Sequence, residues 1–482
     1  MEKTHSLGRY TLWLLYYQKL IDCLGPTASD LSSAATVCLN ICLSQVLAAC
    51  PYRFIGTWAN ATGDTFQPPT NVTRISRAIS RDGYTEENGQ KKRISQIVYY
   101  QRGVGTGLIG DKLGGGMSFL SSALSLPINT DNVFFLTLKG AIGLGLSSNV
   151  RAAYAFLADN FDDGDEIFFF GFSRGAYTAR AVAGLVTSLG LLTSRGMDNF
   201  PTVYNDYYMV KQGASSADRE KYQDADWRRR IGFREKPLEQ FTVKIIGVWD
   251  TVGFHDSWLS RCVGEKFELP NTILSPDVQH AFQALSLDES RNTYEPVLWY
   301  VPKQNVGQEL CQVWFSGYHT DVGGGAPDPR LADIALAWMV SQCTKDGQLS
   351  INLDYFHDGF SQKVNPESPT PWATSLGDAN PVKWRFSTFL ESFKGRSARK
   401  PLGYKPLGHE SITNESIHES VKARNLQSPD RPAYWPSHVL EKSDGSGWIV
   451  KNSRRKLPEF EASRLEKQLK GLIRKVHPDT ID

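Results

Sequence analysis

Residues 166–189 hold the feature that constrains this chain most. Glu166 to Gly171 reads EIFFFG, apolar without alternation, as a strand covered on both faces should be. Gly171-Phe172-Ser173-Arg174-Gly175 follows, and the Ala-rich run from Arg174 to Leu189 is helical in character. A buried strand that passes into a helix through G-x-S-x-G needs a tight, strained turn. The glycines on either side of Ser173 remove the Cβ atoms that would collide there. Such a turn lifts a serine Oγ out of the fold and places it before the free N–H groups and positive dipole end of the helix. Ser173 is therefore a candidate nucleophile, and the backbone N–H of Arg174 a candidate oxyanion donor. In a chain with 41 glycines a bare G-x-S-x-G is weak, so the flanking elements give it its weight.

The same alternation runs through the rest of the chain. Gln96 to Gln101, Phe241 to Trp249, Val297 to Val301 and Leu310 to Phe315 read as strands. Asn149 to Phe161, Asp277 to Leu287 and Leu331 to Cys343 carry apolar residues at helical spacing. Strands alternating with helices predict an α/β fold, a mostly parallel sheet flanked by helices. The polar stretch 193–240, with Arg228-Arg229-Arg230 inside it, reads as an insertion between core strands. Beyond about Asn352, Pro, Gly and Ser rise and periodicity fades, which predicts an irregular C-terminal layer.

Composition narrows the partners. The 482 residues carry 53 Lys plus Arg against 51 Asp plus Glu, without the electrostatic footprint of a nucleic-acid binder. There is no apolar run of 18 residues, so no conventional membrane-spanning helix is expected, and YTLWLLYY (Tyr10 to Tyr17) lacks the flanks of a secretory signal. Seven cysteines without a CxxC pair fit reduced thiols and a cytoplasmic setting. The sequons at Asn60, Asn71 and Asn414 would matter only after secretion. No HxH, HExxH or DxDxDG pattern marks a metal site, and Gly103 to Gly107 and Gly143 to Gly145 match neither phosphate-loop nor dinucleotide fingerprints, so no cofactor is expected. The C-terminal stripe Leu465, Leu469, Leu472, Ile473 and Val476, set among Arg464, Lys467, Lys470, Arg474 and Lys475, reads as a basic amphipathic helix. It either packs on its own domain or makes peripheral contact with an anionic membrane.

A serine nucleophile needs a base and an acid to orient that base, in the order Ser, Asp or Glu, His. Asp250 closes the strand VKIIGVWD and so stands at a strand's C-terminal end, where ligands bind in open α/β sheets. A turn or N-cap aspartate is the competing reading. His319 lies on a glycine-rich loop just past a strand (VWFSGYHTDVGGG) and is the best of nine histidines for the base, an ordinary loop histidine being the alternative. His255 is second choice for the base. Asp321 is second choice for the acid.

Six ordered segments carry a family resemblance. They are GTWAN…TNVTRISRAI (Gly56 to Ile79), VYYQRGVGTG (Val98 to Gly107), NVRAAYAFLADNF…GDEIFFFGFSRGAYTARAVAGL (Asn149 to Leu185), GVWDTVG (Gly247 to Gly253), AFQALSLDESR (Ala281 to Arg291) and VWFSGYHTDVGGG…LADIALAWM (Val313 to Met339). Together they resemble the α/β-hydrolase family related to type VI secretion phospholipase effectors, which is also widespread in fungi as proteins of uncharacterised function. The resemblance implies a triad of Ser173, Asp250 and His319 and hydrolysis of lipid esters. It also implies an oxyanion donor on a loop holding Gly56, Thr57 and Trp58. The expected organisation is an atypical segment 1–52, a hydrolase domain 53–440 with insertions at 117–139 and 193–240, and a basic tail 441–482. Two stretches depart from the pattern. Phe54-Ile55-Gly56-Thr57 lacks the Asp of the family's Asp-Gly-Thr, and Met117 to Lys139 interrupts a family-like run. Both read as gene-structure artefacts, a misplaced first exon and a retained intron, the latter with a hydrophobic lid as its rival reading. The competing functional class is a catalytically silent scaffold that keeps the hydrolase architecture.

Overall fold

The computed structural model describes residues 52–59, 69–87, 89–102, 148–211, 221–235, 237–240, 242–253, 272–301, 306–326, 328–356, 396–404, 412–422, 436, 440–441, 447–451, 454–467 and 469. Segments 1–51, 103–147 and 254–271 lie outside them, and with them fall His255, the 117–139 insertion and both glycine-rich loops.

In chain order the main elements are β1 (Tyr52–Ala59), α1 (Asn71–Ala78), β2 (Asp82–Glu87), β3 (Gln90–Arg102), α2 (148–160), β4 (Glu166–Phe172) and α3 (Arg174–Leu189). There follow α4 (Phe200–Lys211), α5 (Ala225–Ile231), β5 (Val243–Trp249), β6 (Val278–Ser286), β7 (Glu309–Phe315), the single turn α6 (His319–Gly323) and α7 (Arg330–Cys343). Five short strands close the series: β8 (Glu415–His418), β9 (Leu440–Glu441), β10 (Trp448–Val450), β11 (Lys456–Leu457) and β12 (Glu459–Phe460). Nine strands form one sheet in the order β12-β8-β7-β6-β5-β4-β1-β3-β2, in which only the β2–β3 pair is antiparallel. This is the α/β fold that the alternation predicts.

Side-chain parity along the central strands shows why EIFFF carries no alternation. Ile167 and Phe169 of β4 join Ile246 and Val248 of β5 in one apolar layer, with Tyr154 and Leu157 of α2 and Ala176 to Val186 of α3. Phe168 and Phe170 point the other way and join Ile245 and Trp249 of β5, Val72 and Ile75 of α1, and most of α7. Each strand is sandwiched between two apolar layers, so neither face selects polar residues.

That geometry corrects the helix expected over Asp277 to Leu287, which is strand β6 between β5 and β7. Its apolar residues fill both faces, and with Gln279, His280 and Gln283 set between them the run mimics helical spacing. Val297 to Val301 is likewise not a strand. Pro296, Tyr300 and Val301 make isolated bridges to Val252, Ile273 and Ile412. The boundary at 440 also gives way. Strand β12 extends the main sheet beside β8, Leu469 lies in the same core layer as α7, and Leu465 packs against it. Where described, the segment read as a tail therefore packs on its own domain.

Chain order in the sheet reverses at β1 and β4. From β1 the chain moves outward to β3, and from β4 it moves the opposite way to β5. The crevice beyond the C-terminal ends of strands at such a switch point is where open α/β sheets bind ligands. Gly171 stands there, paired with Trp58 across the β1–β4 ladder. A Cβ on Gly171 would lie 2.5 Å from Ala176 Cα and 2.6 Å from the Gly175 carbonyl oxygen. Both are backbone atoms of the following helix and cannot swing aside. Gly171→Ala is therefore expected to destabilise the fold by about 1–3 kcal/mol, read by chemical denaturation. An unchanged midpoint would show that the turn can relax.

Helix α1 ties the far layer together. The buried Asn71 side chain donates to the carbonyls of Val322 in α6 (3.0 Å) and Ala332 in α7 (2.9 Å). An amide so engaged and buried is closed to glycan attachment in the folded chain. Arg74 pairs with Asp333, and both are buried. These contacts fix the turn that begins with His319.

Candidate active site

Ser173 caps the N-terminus of α3 at φ 60° and ψ −128°, outside the regions a side chain ordinarily permits. Local contacts maintain this strain: the Ser173 N–H donates to the Trp249 carbonyl at 3.1 Å, binding the turn to the last residue of β5. The first N–H groups of α3, beginning with Arg174, have no intrahelical acceptor. The Arg174 side chain is exposed.

Asp250 follows β5 immediately, is fully buried, and has its own positive φ of 37°. Its N–H donates to the Ala284 carbonyl at 2.7 Å. Four donors converge on its carboxylate. Oδ1 accepts from the Ser286 N–H at 3.1 Å, while Oδ2 accepts from Ser286 Oγ (2.8 Å) and Arg399 Nη2 (2.9 Å) and lies 2.6 Å from His319 Nδ1. Burial pushes this carboxyl upward, but Arg399, His319 and the Ser286 N–H together outweigh it and hold Asp250 below the usual carboxylate range.

His319 opens α6 and is buried. Phe172, the neighbour of Ser173, lies against the imidazole at 4.5 Å between ring centroids, and Tyr294 meets it edge-on at 4.8 Å. The Phe172 ring fills the space a Cβ on Gly323 would need, approaching within 2.0 Å of that position. Phe172 thereby fits the elbow directly against α6. With Nδ1 bonded to Asp250, the ring can present Nε2 as a base. Among the described residues no hydrogen bond joins Ser173 Oγ to the ring. Without substrate this contact is often long in catalytic sites and tightens in the complex.

Two further assignments change. Gly56, Thr57 and Trp58 are not on a loop; they lie in β1, paired with β3 on one side and β4 on the other. Their N–H groups belong to the ladder. The Asp321 carboxylate accepts the Tyr318 N–H at 2.9 Å and completes the cap of α6, while the His319 ring takes Asp250 as its carboxylate. Asp321 shapes the turn, and among the described residues no hydrogen bond joins its carboxylate to the His319 ring.

The loop after β6 contributes residues that spacing alone did not single out. Asp288 Oδ2 accepts the Gly317 N–H at 2.6 Å, and Glu289 Oε2 accepts the His319 N–H at 3.3 Å. Glu289 is buried against Arg291, whose guanidinium covers the Tyr294 ring at 3.6 Å. Burial raises the Glu289 carboxyl, but Arg291 and His319 outweigh this and leave it lowered. The acidic pair in LDESR was the available signal, hidden by reading β6 as a helix. Arg399 gave none. Among the described residues no cluster of His, Cys, Asp or Glu could hold a metal, and no helix is long and apolar enough to cross a membrane.

A family model for the type VI secretion system phospholipase effector Tle1-like catalytic domain matches residues 54–342, which take in the elbow, Asp250 and His319. The chain belongs to this family. Among curated proteins, the uncharacterized protein YEL023C of Saccharomyces cerevisiae (strain S288c) is 28% identical over 245 residues, 49% of this chain and 31% of that protein. The match thus spans about a third of the curated relative's length. Two solved structures share 17% identity with this Tle1-like chain. A Tle1 effector bound to the VgrG spike of the type 6 secretion system is matched over 57% of this chain and 51% of that one, with a TM-score of 0.29. An uncharacterized protein from Pseudomonas aeruginosa is matched over 69% and 51%, with a TM-score of 0.31.

Proposed function

We propose that the chain is a serine hydrolase that cleaves carboxylic ester bonds of lipids or phospholipids, with Ser173 as nucleophile, His319 as base and Asp250 as orienting acid. The observation that carries this reading is the 2.6 Å bond between buried Asp250 and His319 Nδ1, set beside a serine held at φ 60° between β4 and α3. Membership of the Tle1-like phospholipase effector family supports the substrate class. Ser173 Oγ attacks the acyl carbonyl while His319 Nε2 takes its proton and then returns it to the leaving alcohol. Asp250 keeps the proton on Nδ1 in the ground state and stabilises the imidazolium as it forms. The Arg174 N–H at the head of α3 donates to the oxyanion. Water then attacks the acyl-enzyme through the same base.

A panel of p-nitrophenyl esters and phosphatidylcholines of graded chain length tests the substrate class, with the Ser173→Ala protein as blank. Release of fatty acid from the phospholipids above the blank is expected. Turnover confined to short soluble esters would remove lipids from the proposal, and no turnover of any ester would favour a silent scaffold.

A further inference from the structure

Arg399 reaches the site from a segment 149 positions beyond Asp250. That segment is anchored at both ends. The Ser397 N–H donates to the Ser290 carbonyl at 2.8 Å and Ser397 Oγ to Asn292 Oδ1 at 2.7 Å, which fixes it on the loop after β6. The Leu402 N–H donates to Glu415 Oε2, which also accepts Trp314 Nε1, each at 2.9 Å, fixing it on β8 and β7. Between these anchors the buried guanidinium turns inward, and Nη2 bonds both Asp250 Oδ2 (2.9 Å) and Ser286 Oγ (3.1 Å).

We propose that Arg399 is a positioning residue for the Ser173–His319–Asp250 array, supplying the fixed positive charge that keeps Asp250 an anion and aims its Oδ2 at His319. The inference rests on the serine hydrolase reading above. A carboxylate excluded from water needs hydrogen-bond donors and a countercharge. The Ser286 donors are neutral, and in the proposed reaction His319 carries its charge only between taking the Ser173 proton and returning it to the leaving alcohol. Of the other charged groups packed around the pair, Asp288 and Glu289 after β6 and Asp321 on α6 are acidic and oppose a second anion, while the Arg291 guanidinium is bonded to Glu289 and not to Asp250. Tyr404, beside Arg399, is neutral at working pH, and burial raises its hydroxyl further. Among the described residues, Arg399 Nη1 is buried without a hydrogen-bond partner. A guanidinium kept at that desolvation cost only to fill space could be exchanged for a neutral side chain, whereas one kept for its charge could not.

The test measures the pH dependence of Ser173 acylation by a fluorophosphonate probe, a readout that needs no known substrate. Wild type, Arg399→Gln, Arg399→Lys and Ser173→Ala are compared. Gln keeps an N–H donor but loses the charge, so protonation of the Asp250–His319 pair should become easier and the acidic limb of the rate profile should move up by about a pH unit or more. Lys keeps the charge and should hold the limb near its wild-type position at a reduced rate. A folded Arg399→Gln protein whose profile is lowered evenly at every pH would overturn the inference and reduce Arg399 to packing. Should the Gln variant not fold, the Lys variant decides: a limb near wild type supports the role of charge, and one displaced by a pH unit or more contradicts it. Labelling of wild type but not of Ser173→Ala keeps the hydrolase reading standing whichever way Arg399 behaves. Equal labelling of both, or of neither, would reject that reading, and the role of Arg399 would fall with it.

Discussion

Replacing Ser173 with alanine is expected to lower ester turnover by roughly 10⁴-fold or more while leaving the fold intact. The size of the effect follows from how the other groups of the arrangement are engaged: Ser286 Oγ is bonded to Asp250 and Arg399. His319 Nδ1 is engaged by Asp250, and the neighbouring Phe172 is apolar. What remains after the substitution is the proposed oxyanion donor at the head of α3 and whatever the crevice contributes to substrate binding. Ser173 also holds a backbone conformation that strains any non-glycine residue, and alanine inherits that strain unchanged. The variant should therefore unfold at a temperature close to wild type, and the loss of turnover should be read on folded protein. Residual activity within tenfold of wild type would refute the assignment.

Asp250→Asn is expected to cost about 10⁴-fold in kcat and, unlike Ser173→Ala, to cost stability as well. Asn retains the shape but presents its N–H₂ group either at the Oδ2 position, against both His319 and Arg399, or at the Oδ1 position, against the Ser286 N–H. The buried Arg399 charge then has no anion, and removing one partner of a buried pair typically costs about 3–5 kcal/mol. The pH dependence has a definite sign. The folded-state carboxyl of Asp250 is lowered, so its contribution to stability is present above the unfolded value, about 3.9, and is lost as pH falls toward the folded value. That acid-side loss should be absent in Asp250→Asn. Urea denaturation at pH 7 and pH 3.5 checks both statements, and an unaltered difference between the two pH values would assign the acid sensitivity elsewhere.

What the sequence reveals follows from how local each feature is. The passage from β4 through Ser173 into α3 is written in adjacent residues, because steric relief at Gly171 and the strand's double burial are short-range requirements. Asp250 and His319 can be singled out for a related reason, since Asp250 follows β5 immediately and His319 comes within one short turn of the end of β7. Strand β6 misleads because its apolar residues serve two layers at once, and Gly56 to Trp58 mislead because a motif does not disclose whether its residues sit inside a ladder or beyond its end. Arg399 is invisible for a different reason. It lies where periodicity has faded, and only the packing of residues 396–404 on the loop after β6 brings its charge to Asp250. The buried pair of Arg74 and Asp333 is equally a product of tertiary contact, between a helix near one end of the described chain and another 259 residues away.

The central claim, that this Tle1-like chain carries an activated serine at the β4–α3 turn, is tested most directly by intact-protein mass measurement after exposure to a fluorophosphonate, followed by peptide mapping. One adduct per chain is expected, located on Ser173 and absent when the protein is unfolded beforehand. Folded protein that takes up no adduct, or takes it up at another residue, would contradict it.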